Sequence, residues 1–460
     1  MSFQSWTFLG FFAVFYAGWL GLRKTRLGVP WLLLACYVFY GSWNPLFLLL
    51  VLYLTVVDYF AGRAVSGAGR RRKLVLTLSV LNSLLLLGFF KYAGFVTESL
   101  NGLLGLAQMS ARLPEPSILL PVGISFYSFR SISYVVDCYR GTIPAERNFL
   151  RYATFIAFFP EVVMGPIERA GGILPQLKEP RPITAQHIGD GISLFVVGLF
   201  KKVALADFLA LYANNVFEFP GDYEGFAVLT AAFAFCWQIY FDFSGYTDMA
   251  RGLARMMGVD AMLNFNNPYV AVSLSDFWAR WHISLSRWFR DYVYIPLGGN
   301  RVGAWRTYRN LIVTMLVSGL WHGAAWTFVA WGGVHAIGLC LNRLLDRSRF
   351  YTERVPDALR RIWVFIFVML AWVFFRAATF ADARVILTKI FTAPFTGPAE
   401  FPVVLLGLVL AVWLYQWFHE SRLRRVLTLR PVRIALAVGM ILILILTSGS
   451  EGEAFIYQQF

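Results

Sequence analysis

Residues 316–335 read LVSGLWHGAAWTFVAWGGVH. The run is apolar and rich in tryptophan and small residues, as a membrane helix is, yet His322 sits near the middle of its first half. An ionisable ring inside a bilayer is costly and faces a partner or a wet cavity. An interhelical hydrogen bond is one use for it. Proton transfer is the other, because a neutral imidazole with a reference pKa of about 6.5 accepts a proton from a hydroxyl near neutral pH. Gly319, Gly323, Ala324 and Ala325 around it let another backbone or a ligand approach closely.

The surrounding chain has the same character. Of its 460 residues 58% are hydrophobic and 15% charged, against roughly 25% charged in soluble proteins. Apolar segments lie near 5–22, 30–41, 44–60, 74–90, 118–136, 152–165, 190–211, 226–250, 310–331, 332–345, 362–378, 401–418 and 432–448, several close to the roughly 20 residues that cross a bilayer and some too short to span it. The first, FQSWTFLGFFAVFYAGWLGL (3–22), lacks a basic leader and a small-residue cleavage site, so it reads as a retained span rather than a signal peptide. The expected fold is an all-α polytopic integral membrane protein of about ten to twelve transmembrane helices plus re-entrant and interfacial pieces. No soluble domain fits between the spans, so residues 1–460 read as one membrane-embedded domain. No internal repeat marks the duplicated halves of many transporters.

The net charge of +15 does not point to nucleic acid, because of where the charge lies. Arg23, Lys24 and Arg26, then Arg70 to Lys73, then Arg422, Arg424, Arg425, Arg430 and Arg433 sit between apolar spans, as in cytoplasmic loops. Asp58, near one such loop, reads as facing it. Cys36, Cys138, Cys236 and Cys340 form no Cys-x-x-Cys pair, so they suggest packing rather than a zinc site or disulfide framework. Walker, G-x-S-x-G and H-E-x-x-H signatures are absent.

Residues 274–309 differ from the spans. Phe277, Trp278, Trp281, Leu285, Trp288 and Tyr292 recur at helical spacing, with Arg280, Arg287 and Arg290 off the stripe. This predicts one amphipathic helix in or near the membrane interface, with Ser275 and Asp276 at its N-cap, ended by Pro296 and the following glycines. His282 within it is a snorkelling side chain or a second reactive ring. Among the other histidines, His187 and His419 suit solvated or interfacial positions. His335 shares no face with His322 on one continuous helix, but Gly332 and Gly333 offer a break. On residues 237–258, Gln238, Asp242 and Tyr246 recur every fourth residue, as do Tyr240, Ser244 and Asp248. The helix therefore lines something wet or makes interhelical hydrogen bonds.

Together these segments resemble the membrane-bound O-acyltransferase family, in the branch that contains the membrane subunit of alginate O-acetyltransferase. The resemblance rests on LPVGISFYSFRSISYVVDCYRG (120–141), FFPEVVMGPIERA (158–170), GLFKKVALAD (198–207), WQIYFDFSGYTDMARGLARMMG (237–258), NFNNPYVAVSLSDFWARWHISLSRWFRDYVYIPLGGNR (264–301) and SGLWHGAAWTFVAWGGVH (318–335). It is strongest over about 118–340. The terminal FIYQQF also resembles that branch's usual ending, which suggests a full-length chain. The resemblance implies a ring of helices around a central tunnel, with His322 as the catalytic histidine and His282 as the second family position. Trp281, Trp321, Gln238, Asp242 and Tyr246 would line the tunnel. His282, with Tyr246 or Asp242, would orient groups or stabilise an oxyanion. Arg280, Arg287 and Arg290 would sit near a cytoplasmic mouth, where coenzyme A phosphates or anionic headgroups bind.

The implied activity moves an acetyl group from acetyl-CoA or another cytoplasmic thioester, with no permanently bound cofactor, toward an extracytoplasmic polysaccharide. The implied setting is a bacterial inner membrane, with a periplasmic acyltransferase or esterase-like partner completing the transfer. Acceptors such as another glycan, teichoic acid, a lipid or a protein stay open, as does an acyl conduit without chemistry of its own. Two positions depart from the family pattern: Arg130 and Glu161 stand where glutamine is usual, and both are expected to alter the lining or acceptor contacts.

Overall fold

The structure, a computed structural model, describes residues 1–67, 69–394 and 403–447. The FIYQQF ending lies outside the described residues. Among them all regular structure is helical. Among the described residues seven helices are long and apolar enough to cross a membrane: Phe47–Ser66, Arg72–Leu106, Gly225–Met256, Trp326–Leu345, Asp357–Arg376, Val403–Glu420 and Arg430–Thr447. Trp6–Leu22 and Gly28–Gly41 are shorter apolar helices. The chain is an all-α, multi-pass membrane protein.

Several of the anticipated apolar segments are interrupted. The 152–165 segment leaves its helix after Ala157 and continues through irregular, buried backbone to Glu168. The 190–211 segment changes to a π-helical turn at Phe200–Ala206. The 310–331 segment breaks directly after His322. Such backbone is tolerated at membrane depth where protein surrounds it or where it lines a water-filled cavity.

The chain forms two compact units, Met1–Phe195 with Met249–Met262, and Val196–Asp248 with Leu263–Phe460. In the first, Asp58 does not face a basic loop. It is fully buried and accepts hydrogen bonds from Ser79 Oγ (2.6 Å) and Ser131 Oγ. Arg130 and Glu161, the two departures from the family pattern, are each other's partners: Arg130 Nη2 lies 2.9 Å from Glu161 Oε2 and both side chains are fully buried. The same guanidinium donates to the carbonyls of Pro166 (3.0 Å) and Phe155 (3.3 Å), which ties down the irregular segment.

Candidate functional site

Both candidate histidines belong to the second unit, and each stands at a break in a helix. Helix Ala304–His322 ends at Gly323, whose extended backbone (φ −153°, ψ 149°) leads through Ala325 into helix Trp326–Leu345. The anticipated break at Gly332 and Gly333 does not occur. The glycines instead let the two backbones touch. A Cβ on Gly319 would strike the Phe328 carbonyl, and one on Gly332 the Met315 carbonyl. Beside His322, Gly319 therefore serves a neighbouring backbone and Gly323 the Phe328 ring. The imidazole is 2% exposed, with ring centroids of Trp321 and Trp331 at 5.0 Å and Phe375 at 5.3 Å.

The anticipated interfacial helix is two short ones, Leu274–Arg280 and Ile283–Phe289. Ser273, not Ser275, caps the first, its hydroxyl accepting the Asp276 N–H at 3.0 Å. The aromatic stripe faces protein rather than lipid, with Phe277, Trp281, Leu285 and Trp288 all buried. Between the helices His282 adopts a left-handed conformation (φ 42°, ψ 55°), uncommon for any side-chain-bearing residue although Asn, Asp and His take it more often than others. Its side chain is fully buried.

Asn264 holds this junction together. Its backbone carbonyl accepts the Ile283 N–H at 2.9 Å. Its Oδ1 accepts the Ser284 N–H at 3.1 Å and the Ser284 hydroxyl at 2.8 Å. Asn264 thus satisfies the first orphan donors of the second helix. The same Oδ1 lies 3.2 Å from His282 Nδ1. A backbone N–H identifies that amide atom as oxygen, which assigns the proton of a neutral imidazole to His282 Nδ1 and the lone pair to Nε2.

The His282 ring packs edge-to-face on Phe243 at 4.7 Å and lies 6.1 Å from Trp321 and 6.5 Å from His322, centroid to centroid. The last separation is too long for a direct hydrogen bond between the rings. Trp321 flanks both imidazoles. Trp281 instead belongs to an aromatic core with Trp372 (5.0 Å), Phe265 (5.1 Å) and Phe277 (5.7 Å).

Gln238 and Tyr246 are buried, and Asp242 is held by Lys202 at 2.8 Å. Arg280 is paired with Asp276 (2.7 Å) and Glu420 (3.3 Å), and Arg290 with Asp291 (2.8 Å), so neither guanidinium is free of a carboxylate. Arg287 is exposed. His335, buried on the same helix as Trp331, meets that indole at 4.8 Å, so Trp331 touches both His335 and His322. His187 Nδ1 lies 2.8 Å from Thr184 Oγ1 at a helix start, and His419 lies beside Glu420. Among the described residues no group of three or more His, Cys, Asp or Glu could hold a metal ion.

Residues 142–381 match the model of the membrane-bound O-acyltransferase family. The chain is 45% identical over 383 residues to the probable alginate O-acetylase of Azotobacter vinelandii, covering 82% of this chain and 75% of the relative. It is 41% identical over 438 residues to the probable alginate O-acetylase of Pseudomonas aeruginosa, covering 92% and 83%. It is also 36% identical over 386 residues to the peptidoglycan O-acetyltransferase of Helicobacter pylori, covering 78% and 72%.

Proposed function

Because the chain belongs to the membrane-bound O-acyltransferase family, we propose that this O-acyltransferase moves acetyl from a cytoplasmic thioester, acetyl-CoA foremost, toward hydroxyls of an extracytoplasmic polysaccharide of the alginate type. The observation that carries the reading is the pair of buried imidazoles 6.5 Å apart in a chain of this family. His322 is the general base. It takes the hydroxyl proton as the oxygen attacks the thioester carbonyl, and the proton then passes to the departing thiolate. Its place at the carbonyl end of a helix suits the imidazolium formed in that step.

His282, with Nδ1–H given to Asn264, presents an acceptor nitrogen and so orients the hydroxyl. That tautomer favours orientation over oxyanion stabilisation. The aromatic wall of Trp321, Trp331 and Phe375 excludes water and protects the thioester from hydrolysis. Arg287, exposed, is the arginine of the three best able to meet donor phosphates. The site would sit in a bacterial inner membrane, with a periplasmic acyltransferase or esterase-like partner finishing the transfer. His322 then serves either the final ester or a relay to that partner. The Helicobacter relative favours peptidoglycan as the second acceptor.

The test is acetyl transfer from labelled acetyl-CoA by the purified full chain. His322→Ala should lower turnover by on the order of 10²–10⁴-fold, the usual contribution of a general base. Undiminished turnover in that variant would rule out His322 as the base.

A further inference from the structure

Lys201 and Lys202 lie on the π-helical turn Phe200–Ala206, a geometry frequent at functional sites. The acyl transfer described for His322 and His282 uses neither lysine. Helix Gly225–Met256 meets this turn at Gly245, where an added Cβ would sit 2.8 Å from the Gly198 carbonyl oxygen and 3.2 Å from the Lys202 nitrogen. From that contact the two lysines reach carboxylates on either side of Gly245. Lys202 Nζ lies 2.8 Å from Asp242, three residues before Gly245, and 2.7 Å from Asp207. Lys201 Nζ lies 2.6 Å from Asp248, three residues after it, and 5.7 Å over the Tyr240 ring. Phe243, next to Asp242, is the residue whose ring meets His282 at 4.7 Å.

Buried ion pairs contribute little net stability, because desolvation offsets their attraction, and their best attested use is to specify register. A slip of one residue along a helix shifts a side chain by about 1.5 Å and turns it by about 100°. Either change would carry Phe243 off the His282 ring. We propose that Lys201 and Lys202 are positioning residues. They straddle Gly245, clamp the helix to Asp242 and Asp248, and so set Phe243 against His282. The effect on turnover rests on the acyl-transfer reading, while the effect on His282 itself does not.

The Lys201–Asp248 pair is partly exposed, with side chains 19% and 16% accessible, so its single variants should fold. The experiment compares wild type, Lys201→Gln, Asp248→Asn, the charge reversal Lys201→Asp with Asp248→Lys, Phe243→Leu, and Phe243→Leu with Lys201→Gln, all as full chains in detergent. Two readouts are taken. One is the rate at which diethyl pyrocarbonate modifies His282, followed by mass spectrometry. The other is kcat and KM for the thioester.

Lys201→Gln and Asp248→Asn should raise His282 modification several-fold and lower kcat by about tenfold or more, with KM unchanged, the scale expected of misplacement by a fraction of a helix step. The charge reversal should restore both. Lys201→Gln should add little once Phe243→Leu is present. Wild-type protection of His282 in Lys201→Gln, or a charge reversal as exposed as the single variants, overturns the clamp. A wild type without turnover sinks the acyl-transfer reading instead, and the modification rates still decide the clamp.

Discussion

His282 and His322, 40 residues apart in the chain, hold their imidazole rings 6.5 Å apart at 64° to one another. Neither lies mid-helix. His322 is the last residue of its helix, and His282 is the junction between two. Both rings pack among aromatic side chains, His282 on Phe243 and Trp321, His322 on Trp321, Trp331 and Phe375.

The backbone at His282 separates fold from chemistry. Glycine accepts φ of 42° without the strain of about 1 kcal/mol or more that a side chain incurs there. His282→Gly and His282→Ala should both abolish transfer, and the glycine variant should unfold at the higher temperature in the same detergent. An alanine variant equal to it or more stable contradicts the left-handed junction.

Asn264 should matter as much as a residue that touches substrate. Asn264→Ala leaves the Ser284 N–H, the Ser284 hydroxyl and His282 Nδ1–H without their acceptor, and each orphaned buried donor costs about 1–3 kcal/mol. Thermal unfolding and turnover should both fall. Asn264→Asp, which keeps acceptor oxygens, should retain more of each. Equal behaviour of the two variants would remove Asn264 from the account.

Arg130 and Glu161 give a third prediction. Breaking their buried pair by Arg130→Met or Glu161→Leu should cost about 3–5 kcal/mol, while the double replacement should recover most of that loss. Denaturation midpoints of the three variants measure it. Single variants as stable as wild type would contradict the pairing.

The helix pair carrying His322 depends on backbone contact at Gly319. Gly319→Leu should leave little folded protein to extract from the membrane. Gly333→Ala, whose new methyl would find Leu316 at an ordinary 3.7 Å, should be tolerated. Comparable yields from both would show that the close approach does not hold the pair.

Much of the site can be read before any coordinates. The ionisable rings at 282 and 322 stand out against apolar surroundings, and the motif blocks place them in a family. What escapes is what distant contacts decide. The 277–292 stripe has true helical periodicity, and that periodicity survives a break at His282, because both short helices bury their aromatic side. Nothing local marks a histidine for a left-handed backbone.

Asn264 looks like any loop asparagine until residues 282–284 fold onto it. The polar stripe of Gln238, Asp242 and Tyr246 suggests a wet lining, yet Asp242 is taken by Lys202, whose position depends on a π-helical turn. Arg130 and Glu161, legible as separate oddities, prove to be one ion pair.

The most direct test of the central claim compares alkali-labile acetate on the secreted polysaccharide of three strains: intact gene, His322→Ala and deletion, with membrane levels of the protein checked. The account predicts that the alanine strain falls to the deletion level while its protein remains in the membrane. Equal acetate in all three strains would contradict it.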